Sequence, residues 1–393
     1  MRKLIVIILT VFTLFKLWLW YSHNFVLYKV IKGTLLSGKL SPDIDELKYF
    51  AFNKIEPQKP IPWTISVYYN TIQPNDTLLK KSEQFETTAL LIIENDSILF
   101  ERYFEDYNAK DVSNSFSMAK SFTSVLIGIA LKEGFITSID NPVANYIETY
   151  NKEPFNKITI RHLLTMSSGL HFNESYLSPL SWPAVAYYGS DVNNTVLNPE
   201  FETEPGKYFR YKGGDTQLLG IILKKVTGKT VSAFAYEKLW SRIGAEDTAY
   251  WSLDKPNGME KVSCCFYATA RDFARYAKLM MNFGRWNNDT ILDSTFVAES
   301  ILPATYLLNK DDEPTWQYGY QWWLMKHNGY DIFYARGIRG QYIFAIPEKN
   351  IIMVRLGHKR ASKAGDKTPE DVYIYLNMAL QQSDEKAKLL QAD

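Results

Sequence analysis

A serine and a lysine three residues apart on one helix face bring a hydroxyl within reach of an amine. That is the least a chain needs to turn an alcohol into a nucleophile. The spacing occurs at Ser117–Lys120, Ser252–Lys255 and Ser383–Lys386. A pattern fixed at two positions of four arises by chance about twice in a chain of this length, so spacing alone selects none of them. Context does. Lys255 runs into Pro256-Asn257-Gly258, a turn in which the two side chains need not share a face. Ser383 lies in a charged stretch that reads as a frayed tail. Ser117 instead opens an apolar run, Phe122 to Leu131, whose helical periodicity ends before Gly134. There the Lys120 amine can reach the Ser117 hydroxyl, and the unpaired N–H groups of a helix N-terminus favour a developing oxyanion. A serine cap followed by an exposed lysine is the plainer reading of the same residues.

Other chemistries find no footing. No G-x-S-x-G elbow occurs. Gly228-Lys229-Thr230 imitates the end of a phosphate loop, but Leu223 stands where its first glycine belongs, and a helix precedes it. His23, His162, His171, His327 and His358 show no metal-ligand spacing, so neither a metal nor an organic cofactor is expected. The two cysteines, Cys264 and Cys265, are neighbours, and adjacent cysteines bridge only with strain; they read as buried small hydrophobes. With 44 basic residues against 43 acidic, the chain lacks the surplus a nucleic-acid partner requires. A hydrophobic content of 46% excludes a disordered chain.

The elements that must position Ser117 follow from periodicity. Ala89–Ile93 and Ile98–Phe104, separated by Asn95-Asp96, read as a β-hairpin. Asp331–Arg336, Gln341–Ile346 and Ile351–Leu356 read as three further strands, and a helix from about Pro369 to Gln382 closes the domain. Ile160–Met166, Asp215–Val226 and Ala270–Phe283 read as helices in a mostly helical middle. Strands at both ends with helices between imply an α+β fold, one antiparallel sheet assembled from the two chain ends and flanked by helices. Residues 1–24 stand apart: Arg2 and Lys3 precede an apolar run to Phe15, followed by Lys16, Trp18, Trp20 and Tyr21. A basic start before an apolar run is the layout of an export signal, and the aromatic belt fits a retained membrane anchor. Either form places the remaining chain outside the cytoplasm, tethered if the segment is kept and secreted if it is cleaved. The expected divisions are 1–24, a lead-in at 25–85 that packs on the main domain, the main domain at 86–385 and a tail at 386–393.

Ser117-Met118-Ala119-Lys120-Ser121-Phe122-Thr123-Ser124 resembles the first motif of the serine β-lactamase and penicillin-binding superfamily, in its class C and esterase branch. Ile160–Leu170 is similar to the segment that follows it there, and Pro205–Gly220 to the tyrosine-motif region. Ala268–Asp272, Tyr318–Trp323 and Gly337–Tyr342 fall in the expected order, so the resemblance covers about residues 85 to 385. It implies a β-lactamase/DD-peptidase-like fold with Ser117 as the acylated nucleophile, Lys120 as its helical partner and Tyr211 as the proton shuttle. The backbone N–H groups of Ser117 and Ile338 would form the oxyanion hole.

Two departures bear on substrate. The usual Tyr-x-Asn is here Tyr211-Lys212-Gly213, and the usual Lys-Thr-Gly is Ala335-Arg336-Gly337. A substrate-holding amide and a carboxylate-pairing cation are therefore missing from their usual places. Gly213, Gly337 and Trp182 are candidate substrate contacts, and Arg336 or Arg339 a compensating cation, although Arg339 reads equally as an exposed strand arginine. Trp182, Tyr187, Tyr188, Trp322 and Trp323 are candidates for a cleft mouth, with core packing the alternative for the last two. His162 reads as a packed, hydrogen-bonded histidine and Asp215 as a helix N-cap. The pattern looks closest to the esterase and 6-aminohexanoate-dimer hydrolase branch, which implies an acyl-enzyme hydrolase of a small ester or linear amide. A DD-peptidase or β-lactamase on the same fold, and a non-catalytic sensor, stay open as rivals.

Overall fold

The computed structural model describes residues 3, 6, 7, 10, 13, 14, 41–175, 178, 180–361 and 368–392. The expected leader at 1–24 lies for the most part outside them, as does the lead-in from 25 to 40. Among the described residues no helix is long and apolar enough to cross a membrane.

Seven strands form the main sheet: β1 (Thr64–Ile65), β2 (Thr87–Glu94), β3 (Ser97–Tyr103), β4 (Trp323–His327), β5 (Tyr330–Gly337), β6 (Gln341–Ile346) and β7 (Ile351–Gly357). Their order is β4-β5-β6-β7-β2-β3-β1, antiparallel except where β1 runs parallel to β3. The sheet is thus assembled from both chain ends, with β7 against β2 at its middle. Alternation explains why the sheet is buried on both faces. Leu91, Ile93, Ala335, Ile343, Ala345, Ile352 and Val354 enter one core with helices Ala119–Lys132 and Ala270–Met281. Leu90, Ile92, Tyr334, Tyr342, Phe344, Ile351 and Met353 enter another with the closing helix Glu370–Ala392. Asn95 and Asp96 both take positive φ, 49° and 62°, as the two-residue hairpin turn between β2 and β3 requires.

The closing helix runs ten residues beyond its expected end at Gln382, and the Ser383–Lys386 pattern is not frayed. Ser383 is buried and donates to Glu94 Oε1, while Lys386 pairs with Glu94 Oε2. A carboxylate buried at the end of β2 needs those partners, and supplying them orders the helix. In a second, four-stranded sheet the lead-in strand Phe52–Ile55 pairs with Ala249–Ser252, followed by Phe266–Ala268 and Ser113–Asn114. Ser252 ends a strand there, with Lys255 exposed on the turn beyond it.

Candidate active site

Ser113–Asn114 leads directly into the turn that carries Ser117 and pairs with Tyr267 and Ala268. Ser115 donates its N–H to Phe266 O at 2.8 Å. Phe116 then takes φ +43°, a left-handed conformation that costs an ordinary residue about 1–3 kcal/mol. Its N–H donates to Asn114 Oδ1 at 2.9 Å, its carbonyl accepts the Ser115 hydroxyl, and its ring packs with Tyr187. These contacts hold the reversal that presents Ser117, which is half-buried, in a single 3₁₀ turn just ahead of the Ala119–Lys132 helix.

Lys120 is buried, and its Nζ donates to Ser117 Oγ at 3.1 Å and to the Ser263 carbonyl at 2.7 Å. The Tyr211 ring centroid lies 5.3 Å from the same nitrogen. Tyr211 is itself fixed by Trp323 and Tyr318, at centroid distances of 5.1 and 6.0 Å. Serine, lysine and tyrosine therefore meet around one amine. The Ile160–Leu170 segment is what carries the tyrosine there: Arg210 N donates to Met166 O, Gly206 N to Ser167 O, and Lys212 Nζ to Leu170 O. Gly169 has φ +74°, and a Cβ on it would stand 1.9 Å from the Thr203 carbonyl, so this approach requires glycine. His162 sits in the capping box that starts the segment, accepting from the Thr159 N–H through Nδ1.

Gly337, at the end of β5, seats the sheet against the Ser117 turn. A Cβ there would stand 2.3 Å from Ser115 O and 3.2 Å from Phe116 Cβ. Ile338, the next residue, packs half-buried against the cluster containing Phe116. If the Ile338 N–H holds an oxyanion, as the resemblance implies, Gly337→Ala should push β5 off the turn and cut kcat about a hundredfold. Steady-state kinetics on a p-nitrophenyl ester, read beside a thermal melt, check this; an unaltered kcat with a normal melt would show that the contact is irrelevant to turnover.

Several expected site residues lie elsewhere. Arg339 holds no substrate position: with φ +65° its side chain turns to donate to the carbonyls of Ser41, Pro42 and His358. It is neither an exposed strand arginine nor a clamp, but a tie to the lead-in. Tyr187 and Tyr188 do not line a mouth; they are buried in one cluster with Ile44, Phe116, Cys265 and Tyr267. Trp182 is also buried, lying where a side chain on Gly213 would go, 2.2 Å from that position. Trp322 belongs to the core against Phe333, whereas Trp323 stacks between Tyr211 and Arg336, whose Cζ lies 3.7 Å from its ring centroid. Asp215 falls inside the first turn of helix Gly213–Thr227, with Lys212 at the cap position.

Sequence reasoning missed Glu174. Its Oε1 accepts the Gly213 N–H at 2.6 Å, and burial pushes its carboxyl up to about 7. Asp215 is fully buried, with Oδ1 accepting the Ser168 hydroxyl at 2.6 Å and Oδ2 without a partner, and burial pushes it up to about 6. The folded state thus keeps a proton that the unfolded chain releases near pH 4. The stabilisation linked to that proton is complete below about pH 4 and is lost as pH rises through 6. Asp215→Asn should flatten this dependence, so that the variant gains about 3 kcal/mol on the wild type between pH 4 and 7. Urea midpoints across that range measure the gain, and parallel curves would contradict it.

Asp43, Asp45 and His358 place possible ligand atoms within 4.8 Å of one another, a set that could hold a cation. The ring nitrogens are already engaged, Nδ1 with Asp43 at 2.6 Å and Nε2 with the Tyr107 hydroxyl at 2.9 Å. Together with Arg339, this set pins the lead-in to the end of β7.

A Beta-lactamase family model matches residues 75–374. The chain is similar to the 6-aminohexanoate-dimer hydrolase of Paenarthrobacter ureafaciens, 25% identical over 301 residues that cover 71% of this chain and 74% of that protein. Among solved structures it resembles a 6-aminohexanoate-dimer-hydrolase-like protein from Bacillus anthracis. There the TM-score is 0.76 at 24% identity, covering 88% of this chain and 93% of that one. A family VIII carboxylesterase superposes with a TM-score of 0.63 at 15% identity, covering 82% and 99% of the two chains. At these identities the structural likeness is a likeness of fold.

Proposed function

The chain belongs to the β-lactamase family and is a serine hydrolase, and from that premise we propose that it cleaves a small ester or linear amide through an acyl-enzyme on Ser117. The observation that carries this reading is the 3.1 Å hydrogen bond from Lys120 Nζ to Ser117 Oγ, with the Tyr211 ring beside the same nitrogen. A serine hydroxyl attacks a carbonyl only as its proton leaves, and Lys120 is the group in place to receive it. Tyr211 passes that proton on to the leaving oxygen or nitrogen. The carbonyl oxygen, now negative, is held by the backbone N–H groups of Ser117 and Ile338. Water then attacks the acyl-enzyme by the reverse proton path and releases the acid.

The departures in the motifs bear on substrate. Gly213 offers no side-chain amide, and the space beside it is filled by Trp182. Ala335 supplies no cation at that position to pair with a β-lactam carboxylate, and the neighbouring Arg336 guanidinium is stacked on Trp323. Both features favour an unconstrained ester or amide. Two of the similar proteins are named as hydrolases, one of 6-aminohexanoate dimer and one a carboxylesterase, which agrees with this choice. The test is a substrate panel: short-chain p-nitrophenyl esters should turn over and nitrocefin should not, and the opposite ranking overturns the proposal.

The proposal includes a working place outside the cytoplasm, with residues 1–24 as export signal or tether. The basic-then-apolar order of that stretch supports it. Cell fractionation with N-terminal mass analysis distinguishes a retained tether from a cleaved signal, and recovery in the cytosol would contradict both.

A further inference from the structure

Residues 262–266 run along the start of the Ala119–Lys132 helix and hold it at successive points. Val262 O accepts the Thr123 hydroxyl at 3.0 Å. Ser263 O accepts Lys120 Nζ at 2.7 Å. Phe266 O accepts the N–H of Ser115, two residues before the nucleophile, at 2.8 Å. Between the last two anchors lie Cys264 and Cys265. They are not the separate small hydrophobes that their adjacency implied: the structure joins them in a disulfide.

The bond closes a small ring through the intervening peptide, so it acts directly on the backbone between the anchors. Cys265 takes φ +68°, a conformation that residues other than glycine, asparagine and aspartate rarely adopt. Its sulfur is buried in the cluster that includes Phe116, and its carbonyl accepts the Ser252 N–H at 3.0 Å. Cys264 is half-buried, and its carbonyl accepts Trp251 Nε1 at 3.2 Å. An opened pair would let Cys265 relax toward negative φ. That rotation displaces the Cys264 and Cys265 carbonyls, and through the Cys264 backbone it reaches Ser263, whose carbonyl fixes Lys120.

We infer that the Cys264–Cys265 disulfide is a reducible positioning element for the active site, which holds Lys120 and the Ser117 turn in register only while oxidised. The inference rests on the hydrolase reading above and adds a redox control to the same site. A dithiol is the co-reactant. One of its thiolates attacks the half-buried Cys264 Sγ, the S–S bond breaks, and Cys265 leaves as a thiolate that takes up a proton. The second thiol of the reductant then attacks the mixed disulfide, frees Cys264 as a thiol and closes the reductant's own disulfide. Two electrons pass from reductant to protein, and an oxidant of the same class reverses the exchange.

The experiment uses the whole protein, as purified under air, after dithiothreitol, and after removal of dithiothreitol with oxidised glutathione. Thiols are counted by maleimide mass shift, and kcat and KM are measured on a p-nitrophenyl ester. The oxidised protein should take no maleimide and the reduced protein two. Reduction should lower kcat about tenfold to a hundredfold, the scale of a small misplacement of a catalytic group, with KM nearly unchanged and recovery on reoxidation. The double variant Cys264→Ser, Cys265→Ser should sit at the reduced level and ignore dithiothreitol. An equal kcat in two states whose thiol counts differ overturns the inference, as do two free thiols before any reductant is added. If an acylating probe labels neither state, the hydrolase reading itself fails. Hydrogen exchange across residues 115–123 then decides the positioning role, faster exchange on reduction upholding it and unchanged exchange refuting it.

Discussion

Ser117→Ala should abolish labelling by a fluorophosphonate and lower kcat on a p-nitrophenyl ester by on the order of 10⁴- to 10⁶-fold, the range for removal of a serine nucleophile. The fold gives this substitution little else to disturb. Ser117 is half-buried, and its Oγ is joined to Lys120 Nζ. Lys120 keeps the Ser263 carbonyl, so no buried group is left without a partner. Stability should therefore change by less than about 1 kcal/mol, as for removal of a single partly exposed hydrogen bond. Large loss of turnover with a nearly unmoved melting curve is the signature of a reacting atom. Intact-protein mass spectrometry after probe treatment reads the first half of the prediction, and thermal denaturation the second. Equal labelling of wild type and variant would remove Ser117 from the mechanism and leave the non-catalytic sensor as the better account.

Five strands of the main sheet were legible because they are short continuous apolar runs that feed both faces, as in Leu90 to Ile93 and Tyr342 to Ile346, whereas Thr64–Ile65 and Trp323–His327 carry no such run. The convergence of Ser117, Lys120 and Tyr211 was legible through motifs, since side-chain type and order carry that information. What escaped was set by backbone. The acceptor that fixes Lys120 is a carbonyl of Ser263, and any residue type would supply it. Arg339 reads as a strand arginine, but it sits in the turn between β5 and β6, and its direction follows from a left-handed φ that an arginine seldom adopts. The cysteine pair failed for the same reason, its closure depending on the backbone at Cys265. Glu174 lies in a loop without periodicity, and only the folded chain brings it to the Gly213 N–H. Ser383 was misjudged because its partner, Glu94, lies on a strand almost three hundred residues earlier in the chain.

The role of Lys120 can be separated from mere packing by replacing it with methionine, which keeps most of the volume and the unbranched stem. Lys120→Met should lower the rate of acylation about 10²- to 10⁴-fold, the usual worth of a positioned general base. The substitution also leaves the Ser263 carbonyl buried without a donor, a cost of about 1–3 kcal/mol in stability. That cost bears on folding rather than chemistry, so the two effects are distinguished by measuring acylation well below the variant's melting temperature. If serine and lysine act as one unit, as proposed, their losses should not add: the double variant Ser117→Ala, Lys120→Met should be no slower than Ser117→Ala alone. Stopped-flow acylation with a chromogenic ester gives the single-variant rate, and steady-state turnover gives the comparison with the double. If Lys120→Met acylates at the wild-type rate, the amine is a structural prop for the turn, and the proton from Ser117 must leave by another group.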